Sequence, residues 1–186
     1  MSGTAKGHKL KTVKGDTTRP TSDRVKESLF NILAGRLKDA DVLDIYAGTG
    51  NLGIEALSRG AGTAVFVDKS RECTDIIKDN LVHTKLVEKA TVITADVDTA
   101  LTRLAQSGKQ FDLVFADPPY NKNILFDTLN NLVNHDIMKD GGIVVAERDV
   151  DDPVPLEAGF LKLYREQKYG GTVLSFYIWE KASNEK

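Results

Sequence analysis

Asp44-Ile45-Tyr46-Ala47-Gly48-Thr49-Gly50-Asn51-Leu52-Gly53 is the stretch whose reading decides the fold. A short apolar run at 41–46 leads into it, and a helical pattern follows at about 51–59. Gly48, Gly50 and Gly53 keep the G-x-G-x-x-G spacing. Glycines let the backbone turn sharply after a strand and let a ligand come close, so strand, loop and helix read as one nucleotide-binding unit. The next run, 63–68, ends in Asp68, where a carboxylate can bond ribose hydroxyls.

Outward from this unit the pattern repeats. Strands are predicted at 41–46, 63–68, 90–95, 111–116 and 142–148, and helices at about 51–59, 71–83, 97–107 and 122–136. Alternation with strands apolar on both faces predicts an α/β fold, a mostly parallel sheet covered by helices. Residues 160–168 and 172–180 flank Tyr169-Gly170-Gly171 and predict an antiparallel hairpin at one edge. Ahead of the sheet, Arg19-Pro20-Thr21-Ser22 reads as a helix start with Thr21 or Ser22 capping. Val25, Leu29, Ile32 and Leu33 then form an apolar face, and Gly35 is the expected stop. The expected organisation is a single globular domain, with an arm and helix at 1–35 and the main body at 36–182.

The chain has 186 residues, 41% hydrophobic and 28% charged, which excludes disorder, collagen-like repeats and coiled coil for the whole. A single cysteine, Cys73, forbids an intramolecular disulfide, and with three histidines little remains for a zinc site, so no metal is expected. Cys73 reads as a packed thiol, His8, His83 and His135 as surface residues, and Trp179 as core. No apolar run approaches the roughly 20 residues of a membrane span, and the first residues carry no signal-peptide core, so a soluble cytoplasmic protein with no membrane partner is expected. The net charge of −2 hides an asymmetry: residues 1–26 carry +5 and the rest −7. A basic arm on an acidic body suggests contact with a polyanion, although a solvated terminus would have the same charge.

Asp44 chooses among nucleotides. A carboxylate beside the glycine loop repels a pyrophosphate and attracts a cation, which favours S-adenosylmethionine, with its sulfonium and ammonium groups, over a dinucleotide. Asp44 can also simply cap the turn. Asp96 ends the third strand and can accept from an adenine amino group, with Val97 offering its backbone N–H; Asp96 can equally cap the helix that follows, and both roles can coexist. Strand ends line one crevice in such sheets, so Asp44, Asp68, Asp96 and Asp117 are expected to share it.

The fourth strand runs into Asp117-Pro118-Pro119-Tyr120. Two prolines stiffen the segment and remove two N–H donors, leaving the Asp117 carboxylate and the Pro118 carbonyl as acceptors for the hydrogens of an –NH2 group. Tyr120 offers a flat face for stacking. This arrangement suits methylation of an amine conjugated to a ring, reached by flipping the base from its helix.

The sequence resembles a known family. Asp44 to Gly50 is similar to motif I, and Asp117 to Tyr120 to motif IV, of the class I amino-methyltransferases. Residues 19–33, Gly53 to Ala61 and Tyr169 to Thr172 are similar to segments of the RsmD family, bacterial methyltransferases of 16S rRNA that act on guanine N2. The resemblance implies a Rossmann-like class I fold with seven strands in the order 3-2-1-4-5-7-6. It implies S-adenosylmethionine, with S-adenosylhomocysteine as product, bound by Asp44, Ala47, Gly48, Thr49, Gly50, Asp68, Lys69, Asp96 and Val97. Asp117, Pro118, Pro119 and Tyr120 would hold the target amine. Lys9, Lys11, Lys14, Arg19 and Arg24 would contact RNA, 16S rRNA within a small-subunit assembly particle, with a monomer favoured. Two departures stand out: Met1 replaces residues that usually begin an N-terminal strand, which implies either a short strand or a misassigned start, and Asp68 stands where Glu is common. A DNA amino-methyltransferase usually needs a recognition region for which this length leaves no room. A protein-glutamine methyltransferase usually has Asn where Asp117 stands, and an oxidoreductase conflicts with Asp44. An RNA-binding module with a degenerate pocket conflicts with the intact Asp44, Gly48, Gly50 and Asp117.

Overall fold

The apolar runs pair into one sheet of eight strands in the computed structural model, which describes residues 1–13, 23–118 and 124–181. In chain order the elements are α1 (Asp23–Ile32), β1 (Asp41–Ile45), α2 (Asn51–Ser58), β2 (Thr63–Asp68), α3 (Arg71–His83), β3 (Ala90–Thr94), α4 (Val97–Gln106), β4 (Phe111–Ala116), α5 (Ile124–Asn134), β5 (Met138–Asp149), β6 (Glu157–Ala158), β7 (Leu161–Tyr169) and β8 (Thr172–Trp179). The strand order is β3-β2-β1-β4-β5-β8-β7-β6. β1 to β5 pair in parallel, and β8, β7 and β6 extend the sheet antiparallel beyond β5. The expected seven-strand order is preserved. The eighth strand, β6, has only two residues, too short for an alternation pattern to reveal.

Each face of the sheet buries its own core. Val42, Phe66, Phe115 and Val145 pack against α1, α2 and α3, while Leu43, Val65, Val114 and Val144 pack against α4 and α5. Val25, Leu29 and Leu33 are buried as their spacing predicts, Ile32 is partly buried, and Phe30 joins them edge-on to Phe115 at 5.7 Å between ring centres. A fully buried aromatic of this kind contributes about 1.5–3 kcal/mol relative to exposure.

Three local expectations change. β5 begins at Met138 rather than 142: Phe111 pairs with Met138, Leu113 with Ile143, and the residues between form an irregularity with Gly141 at φ +73°. There the Lys139 ammonium reaches Asp41 at 2.8 Å and Asp112 at 2.7 Å, joining the starts of β1 and β4. Helix α1 ends at Ile32, and Gly35 lies in a separate 3-10 turn, Ala34–Arg36. At the amino end, Gly3–Ala5 form a 3-10 turn rather than a short strand. Side chains of α2 take the donors that a sheet neighbour would have taken: Ser2 N–H donates to Glu55 at 3.0 Å and Ala5 N–H to Ser58 at 2.8 Å.

Candidate active site

The glycine loop folds back on the end of β2. Gly48 N–H donates to Asp68 Oδ2 at 2.9 Å, Ser70 N–H to Asp68 Oδ1 at 2.8 Å, and Ala47 N–H to the Val67 carbonyl at 3.0 Å. Gly48 at φ +54° and Gly50 at φ +81° occupy the left-handed region that glycine enters without strain. A side chain added at Gly48 would meet nothing within 4 Å, so the loop's backbone faces open space there. Tyr46 also lies at φ +60°, a strained conformation for a bulky residue costing about 1–3 kcal/mol. Its hydroxyl is bonded to Thr128 of α5 at 2.8 Å. The apolar pattern marked Tyr46 only as a strand residue.

Asp44 is buried beneath this loop, and its Oδ2 accepts the Gly53 N–H at 2.8 Å. A Cβ at Gly53 would come within 2.3 Å of the Phe66 ring, so the third glycine is required for α2 to approach β2 this closely. Burial pushes the Asp44 carboxyl up to about 8; the Gly53 bond opposes this, and the charges of Asp117 and Asp68 add to it. Asp117 follows β4. Its side chain reaches solvent although protein surrounds most of it. Burial and then the Glu147 carboxylate raise its pKa to about 7.

Asp96 lies two residues past β3, which ends at Thr94 rather than at Asp96, and caps α4, accepting from Thr99 N–H at 2.9 Å and Thr99 Oγ1 at 2.8 Å. These bonds, led by the Thr99 backbone, hold its carboxyl below the usual range. The capping role is thus realised, and Asp96 is exposed at the surface with Val97 partly buried beside it. Thr49 is partly buried and Lys69 is exposed. Asp44, Asp68 and Asp117 interact electrostatically, so the structure brings these three together. Pro118 follows Asp117 and is partly buried, while Pro119 and Tyr120 lie outside the described residues.

The basic arm is docked rather than free over its first 13 residues. Ala5 is buried with the core of α1, and Lys11 pairs its main chain with Asn80 of α3, N–H to Oδ1 at 2.8 Å and Nδ2–H to the carbonyl at 3.1 Å. The same Asn80 amide donates to the Thr49 carbonyl in the glycine loop at 3.0 Å. The Lys11 ammonium meets Asp79 at 2.8 Å, whereas Lys9 and Arg24 are exposed. Lys14, Arg19 and the predicted caps Thr21 and Ser22 lie outside the described residues.

Four site residues escaped the sequence reading. Asn80 links arm to loop. Lys26 of α1 is buried, its ammonium donating to Asn51 at the start of α2 at 3.0 Å. Tyr46 is strained, and Glu147 is buried at the end of β5. Only Glu147 carried a usable signal, an acid closing the apolar run Ile143 to Ala146, the same pattern that marked the aspartates. Among the described residues there is no cluster of His, Cys, Asp or Glu able to hold a metal.

A parallel sheet ordered about a central β1, a glycine loop after β1, an acid ending β2 and Asp117-Pro118 directly after β4 define the class I methyltransferase fold. The family described as "Conserved hypothetical protein 95" matches residues 1–178, and the chain belongs to it, the RsmD family of methyltransferases. The chain is 38% identical over 177 residues to the "Putative rRNA methyltransferase YlbH" of Bacillus subtilis, covering 95% of this chain and 96% of that one. It is 34% identical to "Ribosomal RNA small subunit methyltransferase D" of Escherichia coli, covering 95% and 87%. The solved structure of "Putative methyltransferase yhhF from Escherichia coli" superposes with a TM-score of 0.84 at 35% identity, covering 97% of this chain and 96% of that one.

Proposed function

We propose that the protein transfers a methyl group from S-adenosylmethionine to the exocyclic N2 of a guanine in 16S rRNA, within a small-subunit assembly particle in the cytoplasm. The observation that carries this reading is that Asp117, followed by Pro118 just past the end of β4, lies close enough to Asp44 beneath the glycine loop for their charges to interact. The names of the B. subtilis and E. coli relatives support the RNA substrate.

The residues fit the cofactor. Asp68, with Asp44 and Asp117 ionising as a cation approaches, favours a cationic ligand over a diphosphate. The loop backbone is open at Gly48, and Asp68 and Asp96 present carboxylates at neighbouring strand ends for a ribose diol and an adenine amine. When bound, S-adenosylmethionine supplies an electrophilic methyl group, and the thioether S-adenosylhomocysteine leaves as the methyl–sulfur bond breaks.

The chain's own work is placement and proton acceptance. The Gly53 N–H fixes the Asp44 carboxyl in one orientation, and a bound sulfonium or ammonium would favour its ionised form. The Asp117 carboxylate and the Pro118 carbonyl accept the two hydrogens of the amine. They pull its nitrogen away from planarity and direct its lone pair at the methyl group. As the N–C bond forms, the nitrogen's surplus proton passes to Asp117, whose pKa of about 7 suits an acceptor working near neutrality.

The test is nucleoside mass spectrometry of 16S rRNA from cells lacking the gene, and from such cells supplied with wild type or Asp117→Ala. The expected result is loss of one N2-methylguanosine, restored by wild type only. An unchanged nucleoside profile, or restoration by Asp117→Ala, overturns the reading.

A further inference from the structure

β4 and β5 run parallel with Ala116 beside Ala146, so Asp117, just past the end of β4, follows next to Glu147 in β5. Alternation carries both to one face. Phe115 and Val145 belong to the layer under α1 and α2, whereas Ala116 and Ala146 belong to the other. Leu174, the antiparallel partner of Glu147 on β8, lies in the first layer too. Glu147 is only 8% exposed, and its charge acts directly on Asp117. A buried carboxylate is costly, and here it lies beside the group assigned to the target amine.

We propose that Glu147 determines base specificity, its carboxylate accepting the N1–H of guanine while Asp117 and Pro118 hold the N2 amine. This inference rests on the guanine-N2 reading above and deepens it. An Asp-Pro turn alone recognises an amine on a ring, which adenine and cytosine also possess. What separates guanine is the neighbouring ring nitrogen. In guanine it carries a hydrogen and donates, whereas in adenine and cytosine the nitrogen beside the amine carries a lone pair. A carboxylate facing that lone pair is repelled and left unpaired, and sites built around a substrate N–H reject analogues lacking it. Two adjacent carboxylates therefore match the two adjacent donors of the guanine edge and mismatch the other amino bases.

The experiment uses full-length protein and 16S rRNA ligated to carry either guanine or 2-aminopurine at the nucleotide that wild type methylates. Both bases have the same exocyclic amine, but 2-aminopurine has a lone pair where guanine has N1–H. Wild type is expected to favour guanine about ten- to hundredfold in kcat/KM, as for a lost hydrogen bond to a charged group. In Glu147→Gln the carboxamide can donate to the lone pair. The preference should fall to within about threefold, with S-adenosylmethionine affinity unchanged. Equal use of both bases by wild type, or full wild-type preference in Glu147→Gln, overturns the role of Glu147. Should Glu147→Gln not fold, Glu147→Ala takes its place: the preference should again fall, and an Ala variant that keeps the full wild-type preference overturns the role of Glu147. If wild type makes no N2-methylguanosine at all, the proposed function itself falls.

Discussion

Asp44 and Asp117 are acids that the fold prefers to keep protonated. Burial raises them to about 8 and about 7, while in the unfolded chain an aspartate ionises near 3.8. Between these values the native state binds more protons than the unfolded state. Their contribution to stability is therefore complete below about pH 4 and is lost as pH rises through 7 and 8. Urea unfolding of the ligand-free protein should show stability falling from pH 5 to pH 8.5, and Asp44→Asn should flatten much of that slope. A wild-type slope in Asp44→Asn would mean that the Asp44 carboxyl is not the group responsible. The same two acids explain why the sequence was informative here. Their positions at strand ends are readable from apolar periodicity, but the burial of Asp44 depends on α2 closing over it and the shift of Asp117 on Glu147 of the neighbouring strand, which periodicity does not express.

At the scale of elements, Asn80 is the joint between three segments that are distant in sequence. One amide on α3 receives the Lys11 N–H and donates to the carbonyls of Lys11 and Thr49. Asn80→Ala should cost about 1–3 kcal/mol in denaturant unfolding, because it strands buried backbone groups. It should also weaken S-adenosylmethionine binding in calorimetry, since the glycine loop loses a support; unchanged affinity would show that the loop needs no such support. No pattern in the chain announced this joint, since a polar residue within an amphipathic helix reads as solvent-facing. The strands and helices from β1 to β4 lie within about a residue or two of their expected limits, because each combines a strong period with a clear stop. The start of β5 does not, because Gly141 and Gly142 read as the turn before a strand when they are an irregularity inside one. β6 and the amino-terminal 3-10 turn owe their form to neighbours across the fold, the hairpin and α2, rather than to local sequence.

For the whole molecule the division of charge at residue 26 has a spatial meaning. The arm's first residues are fixed along α2 and α3, so Lys6, Lys9 and Lys11 have an address on the surface rather than a loose tether. Replacing Lys9, Lys11 and Lys14 by Gln should weaken rRNA binding and flatten the dependence of log Kd on log salt concentration, by close to one unit of slope for each phosphate no longer neutralised. An unchanged slope would leave Lys9, Lys11 and Lys14 with no electrostatic part in binding. Lys11, already paired with Asp79, should add least to the change. At the opposite end of the sheet from Asp44 and Asp117, Lys139 clamps the starts of β1 and β4. The other end gathers the carboxyls of Asp44, Asp68, Asp117 and Glu147. An acidic mouth of this kind sorts the parts of a nucleotide. On the proposed reading, it would disfavour phosphates and accept the hydrogen-bearing edge of a base, leaving an RNA strand on the rim to send in a single base.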